Sequence, residues 1–148
     1  MKSPELLSPV GDFECLKASV QNGANAIYLG ASAFSARAKA TNFNEEELCE
    51  AIKYAKLRNV SVHLALNTLI KNEEFIDAVS LAVNAYNHGV DAIIVQDLGL
   101  ASYLRKHYPE IPLHGSTQMT VHNLEGALQL EKLGFSLKIK SLFATGLK

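Results

Sequence analysis

Cysteine is scarce in this chain of 148 residues: Cys15 and Cys49 stand far apart, without the paired spacing of a zinc ribbon or a redox motif. A reduced, intracellular protein is expected, with no metal or cofactor held by this chain itself. An excess of either charge is missing too. The formal net charge of -1 removes the electrostatic footprint of a dedicated nucleic-acid or anionic-membrane binder, although a local basic patch stays compatible with it. No apolar run approaches the ~20 residues of a membrane span, and the residues before Pro9 and Gly11 fall short of a signal-peptide core. A cytoplasmic location without a membrane partner is expected. Collagen-like, disordered and low-complexity compositions are also excluded, since 48% of the residues are apolar and 20% charged. A domain of this size buries roughly 68–70% of its unfolded surface, enough for a core without staples.

What the chain does have is a recurrence. Four times an amphipathic segment ends at Gly or Asn, an apolar residue follows, and a β-rich run comes next: Asn22-Gly23-Ala24, Arg58-Asn59-Val60, His88-Gly89-Val90 and Leu133-Gly134-Phe135. Gly and Asn tolerate the left-handed conformation that closes a helix, so these positions read as C′ caps feeding strands. Helix starts are equally legible. Asn44 precedes Glu45, Glu46 and Glu47, a cap with a capping-box partner and carboxylates at the positive end of the dipole. Asp12, Asn72, Asp97 and Asn123 are similar cap candidates. Helical periods place Leu48, Ala51, Ile52 and Ala55 on one buried stripe, Phe75, Val79, Ala82 and Val83 on a second, and Leu124, Ala127, Leu128 and Leu130 on a third.

Strands are expected over 5–7, 26–29, 62–66, 92–95 and 113–115, with a sixth over 137–143. Most are short and continuously apolar, as strands covered on both faces must be. Alternation with helices implies parallel βαβ units with right-handed crossovers. Two architectures satisfy that pattern, an open doubly wound sheet and a β/α barrel. Gly11 stands alone after the first strand, without the glycine fingerprint of a dinucleotide fold, which disfavours the former. A closed eight-unit barrel needs at least ~200 residues. The expected fold is therefore an α/β chain of parallel βαβ units, an incomplete TIM-like β/α barrel of about five units over 1–136. Residues 137–148 form an atypical basic tail or an incomplete sixth strand.

The blocks Pro4-Glu5-Leu6-Leu7-Ser8-Pro9-Val10-Gly11-Asp12, Asn22-Gly23-Ala24-Asn25-Ala26-Ile27-Tyr28-Leu29-Gly30, Phe34-Ser35-Ala36-Arg37, Asn67-Thr68-Leu69, Asp91-Ala92-Ile93-Ile94-Val95-Gln96-Asp97 and His114-Gly115-Ser116-Thr117-Gln118 come in one order. In that order they resemble the N-terminal portion of the collagenase-like peptidases, peptidase family U32. The resemblance covers 4 to about 135. It implies a β/α barrel and a peptidase (protease, hydrolase) label without an agreed nucleophile. It equally implies hydroxylation of tRNA or ribosomal RNA bases, or of the ubiquinone ring, in full-length relatives, with an iron-sulfur cluster in some. The relatives continue with a cysteine-rich signature, whereas here 137–148 carries three lysines and no acid. A truncated or frame-shifted reading frame, or an artificial chain end, is the expected cause. The short chain is expected to be inactive by itself.

In both parallel architectures a ligand sits at the carboxyl ends of the strands. The polar residues that end each run are Ser8 and Asp12, then Ser32, Ser35 and Arg37, then Asn67 and Thr68, then Gln96 and Asp97, and finally Ser116, Thr117 and Gln118. Amides and hydroxyls suit a planar polar substrate better than peptide cleavage. Arg37, Asn67, Gln96, Ser116 and Gln118 are the expected substrate-binding residues, for a small polar, peptide or RNA substrate. Asp12 and Asp97 are alternatively plain helix caps. Arg37 with Lys39 could clamp a phosphate or carboxylate.

His63 and His114 lie in strands from which both could face a barrel interior, while His88, His107 and His122 belong to helix ends or loops. Neither strand histidine has a metal-site spacing, and hydrogen-bonded core or rim histidines are the expected reading. A hydrolytic site would need a nucleophile, a base and an orienting group. Ser116 with His114 or His63 is the one pairing the sequence offers, and no Gly-x-Ser-x-Gly elbow exists. Cys15 and Cys49 read as inert buried thiols. A second class of function is non-catalytic: a half-barrel binding or assembly module, with a homodimer formed across open barrel edges.

Overall fold

The computed structural model describes residues 5–36 and 43–136. Five strands, β1 (Leu7–Val10), β2 (Ala26–Gly30), β3 (Ser61–Leu66), β4 (Ala92–Val95) and β5 (Leu113–Gly115), alternate with five helices. The helices are α1 (Phe13–Gln21), α2 (Glu45–Lys56), α3 (Phe75–Asn87), α4 (Leu98–His107) and α5 (Leu124–Lys132). All neighbouring strands pair in parallel, in the order β1-β2-β3-β4-β5. A doubly wound sheet must reverse its strand order somewhere, and this one never does. With right-handed crossovers all running the same way, every helix falls on one face of the sheet. That is the winding of a β/α barrel cut open along one side. The expected sixth strand lies outside the described residues, but Ser136 already donates its backbone N–H to the Leu113 carbonyl at 2.9 Å, on the free edge of β5.

The units repeat because the same local chemistry repeats. Gly23, Asn59, Gly89 and Gly134 all adopt positive φ, of 86°, 58°, 106° and 85°. Each closes a helix and turns the chain into the next strand. Asp12, Asn44, Asp97 and Asn123 accept from backbone N–H groups of the helices they open, and Asn44 forms a full capping box with Glu47. Asn72 does not cap α3. It starts a 3-10 turn, Asn72–Glu74, because Glu74 reaches back to the Lys71 N–H and the chain tightens before the helix begins.

Side chains alternate across the sheet, and the two faces have different contents. Ile27, Leu29, Val62, Leu64, Leu66, Ile93, Val95 and Leu113 point under the helices and pack with Leu16, Ile52, Leu100 and Leu104 in one core. Each large aliphatic side chain so buried contributes about 1.5–3 kcal/mol. The opposite, inner face carries Tyr28, Gly30, His63, Ala65, Ala92, Ile94 and His114 by the same alternation.

Three local expectations are corrected. The first strand runs Leu7–Val10 rather than 5–7, in register with Ala26–Leu29, and it includes Pro9, which has no N–H to donate and is tolerated on an edge strand. Cys15 is exposed and Cys49 half-buried, since Leu16 and Leu48 hold the inward positions of their helices. On α5 only Leu130 is buried. Leu124 and Leu128 stay exposed because α5 is the last described helix, beside the free edge of the sheet.

Candidate functional site

The site is built from register. Leu66 pairs with Val95, and Val95 pairs with Gly115. The next residue along each strand is Asn67, Gln96 and Ser116, so three side chains 29 and 20 positions apart in the chain stand in one row at the carboxyl rim. One row below on the inner face come Gly30, Ala65, Ile94 and His114, and below those Tyr28, His63 and Ala92. Gly30 and Ala65 are small and buried, while Tyr28 and His63 are both half-buried.

The rim groups are partly engaged, and the engagement defines what they can still offer. The Asn67 Oδ1 accepts from the Ala36 N–H at 3.1 Å, which ties the loop after β2 to the end of β3 and leaves the Asn67 Nδ2 to donate. Ser116 is 6% exposed. Its Oγ accepts from the Gln118 N–H at 3.2 Å, leaving its own hydroxyl proton to donate. Gln96 is half-buried, and among the described residues its amide makes no hydrogen bond. Two positioned donors and one adaptable amide suit a flat ligand bearing carbonyl oxygens or ring nitrogens.

Other sequence-predicted residues fall elsewhere. Arg37 and Lys39 lie outside the described residues. Gln118 is exposed and belongs to the 3-10 turn Thr117–Met119 beside the row rather than to the row. Ser8 faces α1, where its Oγ meets the Ser19 Oγ at 2.8 Å, because its strand position points to the helix layer. Asp97 is a cap and a tie: one oxygen accepts from the Leu100 N–H at 2.8 Å and the other from the Ile70 N–H at 3.3 Å. The Asp12 carboxylate accepts from the Cys15 N–H at 2.7 Å, a bond that holds its pKa below the ordinary carboxylate value. Asp12 and Asp97 are therefore committed to the backbone.

Two features had no sequence signal. Phe34 and Thr120 adopt left-handed φ angles of 62° and 59°, in the loops after β2 and β5, a conformation that costs a side chain about 1–2 kcal/mol. Strain of this kind gathers where loops shape a site. The second feature is the contact between His63 and His114, whose ring centroids lie 4.9 Å apart with planes at 89°.

The opposite, amino end of the sheet also holds a cleft, of about 490 Å³, lined by Asn25, Tyr54, Arg58 and Asn59 among others. Its one cation is already used: the Arg58 guanidinium stacks 3.7 Å from the Tyr54 ring centre and donates to the Tyr54 carbonyl. Two helix C-termini face it, and ligands of parallel sheets collect at the other end. The carboxyl rim is the better site.

The profile of peptidase family U32 matches residues 11–139. The chain belongs to that family. Among curated relatives it is 36% identical over 132 residues to the 23S rRNA 5-hydroxycytidine C2501 synthase of Escherichia coli strain K12, covering 89% of this chain and 20% of that one. It is 40% identical over 122 residues to an uncharacterized protease of Methanocaldococcus jannaschii, covering 80% and 29%. To the tRNA hydroxylation protein P of Escherichia coli strain K12 it is 30% identical over 141 residues, covering 95% and 31%. The chain thus spans between 20% and 31% of the length of these relatives. The solved structure of the U32 peptidase Mk0906 superposes with a TM-score of 0.68 at 19% identity, over 91% of this chain and 58% of that one. A type I 3-dehydroquinate dehydratase from Clostridium difficile gives a TM-score of 0.56 at 14% identity, over 75% and 50%. These likenesses concern the fold.

An iron-sulfur cluster, which the family resemblance implies, takes four thiolates or their equivalents. The two cysteines here sit on α1 and α2 in the outer layer, and the described residues hold no group of three or more His, Cys, Asp or Glu fit to bind a metal ion. The described part of this chain does not fit such a cluster. No helix among the described residues is long and apolar enough to cross a membrane.

Proposed function

We propose that this chain supplies the N-terminal, base-binding half of an RNA-hydroxylating β/α barrel, with Asn67, Gln96 and Ser116 as the contacts to a planar nucleobase. The observation that carries the reading is the row of neutral hydrogen-bonding groups at the carboxyl rim, two of them fixed as donors by bonds to backbone N–H groups. A pyrimidine presents carbonyl oxygens and a ring nitrogen that such a row can address. Relatives named as rRNA and tRNA hydroxylation proteins support it. A peptidase reading, favoured by the names of other relatives, would need an orienting acid beside Ser116 and His114, and Asp12 and Asp97, the acids that follow β1 and β4, already cap helices. Gln118 and Arg37 are the further proposed contacts, Arg37 as a partner for a phosphate.

The test is genetic and chemical. Deleting the reading frame should remove one nucleoside, heavier by one oxygen than its parent, from digested total RNA. The wild-type gene should restore it, and the Gln96→Ala gene should restore it poorly. Unchanged RNA together with loss of gelatin-cleaving activity would establish the peptidase reading instead. A second reading is favoured by the open sheet: among the described residues β1 has one unpaired edge and β5 meets only Ser136 on its outer edge, with Leu6 and Leu7 exposed at one end and Leu124, Leu128 and Leu133 at the other. Two copies pairing across these edges would run as a dimer in light scattering, and a monomer refutes that reading.

A further inference from the structure

Two loops at the rim are held by the end of the next strand. Asn67, the first residue past β3, accepts from the Ala36 N–H of the loop after β2 at 3.1 Å. Asp97, two residues past β4, accepts from the Ile70 N–H of the loop after β3 at 3.3 Å. In a parallel sheet whose strand order never reverses, each loop has the next strand end beside it, so such ties can run in series. The series goes from Ala36 to Asn67, through residues 68–69 to Ile70, and on to Asp97.

The second tie bears on the row of rim groups. Leu66 is in register with Val95, and Ile70 is bonded to Asp97. The chain from Asn67 to Leu69 is therefore fixed at both ends against β4 and the residues that follow it. Asn67 and Gln96 stand side by side inside that closed stretch, each one residue beyond the registered pair. The other Asp97 oxygen accepts from the Leu100 N–H at 2.8 Å and so opens α4. One carboxylate thus serves two elements, one oxygen for each. Gly99 leaves it the room: a Cβ there would lie 3.1 Å from the Asp97 Oδ1, closer than ordinary contact. Glycine is a poor helix residue, and its presence in the first turn of α4 fits this crowding.

We propose that Asp97 is a positioning residue for the rim: by pinning Ile70 it sets where Asn67 stands beside Gln96, and through Asn67 it steadies the loop at Ala36. Its bearing on a nucleobase rests on the function proposed above; the coupling of the loops does not. Asp97→Asn separates the two duties. Asn is as good an N-cap as Asp. Its single acceptor oxygen keeps the shorter bond, to Leu100, while its NH2 group can only donate and loses Ile70. Asp97→Ser also caps with one oxygen and repeats the test should Asp97→Asn fail to fold.

The experiment compares amide hydrogen exchange and side-chain amide signals of the whole ¹⁵N-labelled chain by NMR. In either variant the Leu100 amide should stay protected. The Ile70 amide should exchange about tenfold faster, the loss of one bond to a charged acceptor. Ala36 should also exchange faster although its own partner, Asn67, is unaltered, and the Asn67 side-chain amide signals should move. Faster exchange confined to Ile70, with Ala36 and Asn67 as in the wild type, overturns the proposal, because Asp97 is then a cap with one local bond. A single-stranded RNA containing cytidine should bind the variants about three- to tenfold more weakly. Unchanged affinity, where the wild type binds through Asn67 and Gln96, overturns it as well. RNA that leaves Asn67, Gln96 and Ser116 unshifted in the wild type discards the base-binding reading instead, and the Ala36 and Asn67 signals then decide the positioning by themselves.

Discussion

Gly134→Ala should destabilise the last unit far more than a glycine on an open surface would. At φ 85° the new side chain sits in left-handed backbone, which costs about 1–2 kcal/mol. Its Cβ would also fall 2.6 Å from the Arg105 Nε and 2.9 Å from its Cδ, so the guanidinium must move. That guanidinium donates to the Pro109 carbonyl at 2.8 Å and to the Gly134 carbonyl at 2.7 Å, clamping the end of α4 to the end of α5. Losing the second bond costs about 1.5 kcal/mol at the low end for a charged donor. The total is about 2–4 kcal/mol, reduced slightly by the entropy that alanine removes from the unfolded chain. Urea unfolding followed by circular dichroism measures it. In an Arg105→Ala background the clash is gone, so Gly134→Ala should cost only its backbone share, leaving a coupling of about 1–2 kcal/mol. Strictly additive effects of the two substitutions would refute the reasoning.

Other consequences are as direct. Leu64→Ala, at a fully buried position under the helices, should cost about 2–5 kcal/mol in the same unfolding assay. Asn67→Ala should release the Ala36 amide, raising its hydrogen-exchange rate and costing about 1 kcal/mol, while β3 stays protected. Because the folded Asp12 carboxyl is held more acidic than its ordinary value of 3.8 by the Cys15 N–H, its contribution is complete above that value. It fades as pH falls from there through the lower folded value. Amide protection at the start of α1 should therefore weaken in acid, and in Asp12→Asn it should be independent of pH over that window.

The features legible in the sequence were those decided within a few residues. Gly23, Asn59, Gly89 and Gly134 announced helix ends because only a left-handed residue makes that turn, and all four do so. The capping box at Asn44 and Glu47 is likewise local. From these ends the strands and their parallel order followed, and with them the placement of Asn67, Gln96 and Ser116 after three neighbouring strands. Features that depend on partners distant in the chain were not legible. Asn72 lost its cap role to a backward reach by Glu74, and Cys15 lies one residue off the buried stripe held by Leu16. The exposed Leu124 and Leu128 of α5 keep a helical apolar period that has nothing to cover it among the described residues. The sequence put His63 and His114 in strands from which both could face the interior, but the contact between their rings joins residues 51 positions apart in the chain, which no local pattern encodes.

The account turns on where a ligand binds. Titrating the ¹⁵N-labelled chain with a single-stranded RNA containing cytidine, and mapping the amide and side-chain shifts, tests this most directly. Shifts should gather at Ala36, Asn67, Gln96 and Ser116, and Gln96→Ala should weaken binding by about three- to tenfold, the worth of one neutral hydrogen bond. Shifts confined to Asn25, Arg58 and Asn59 at the amino end of the sheet, with affinity untouched by Gln96→Ala, would contradict it.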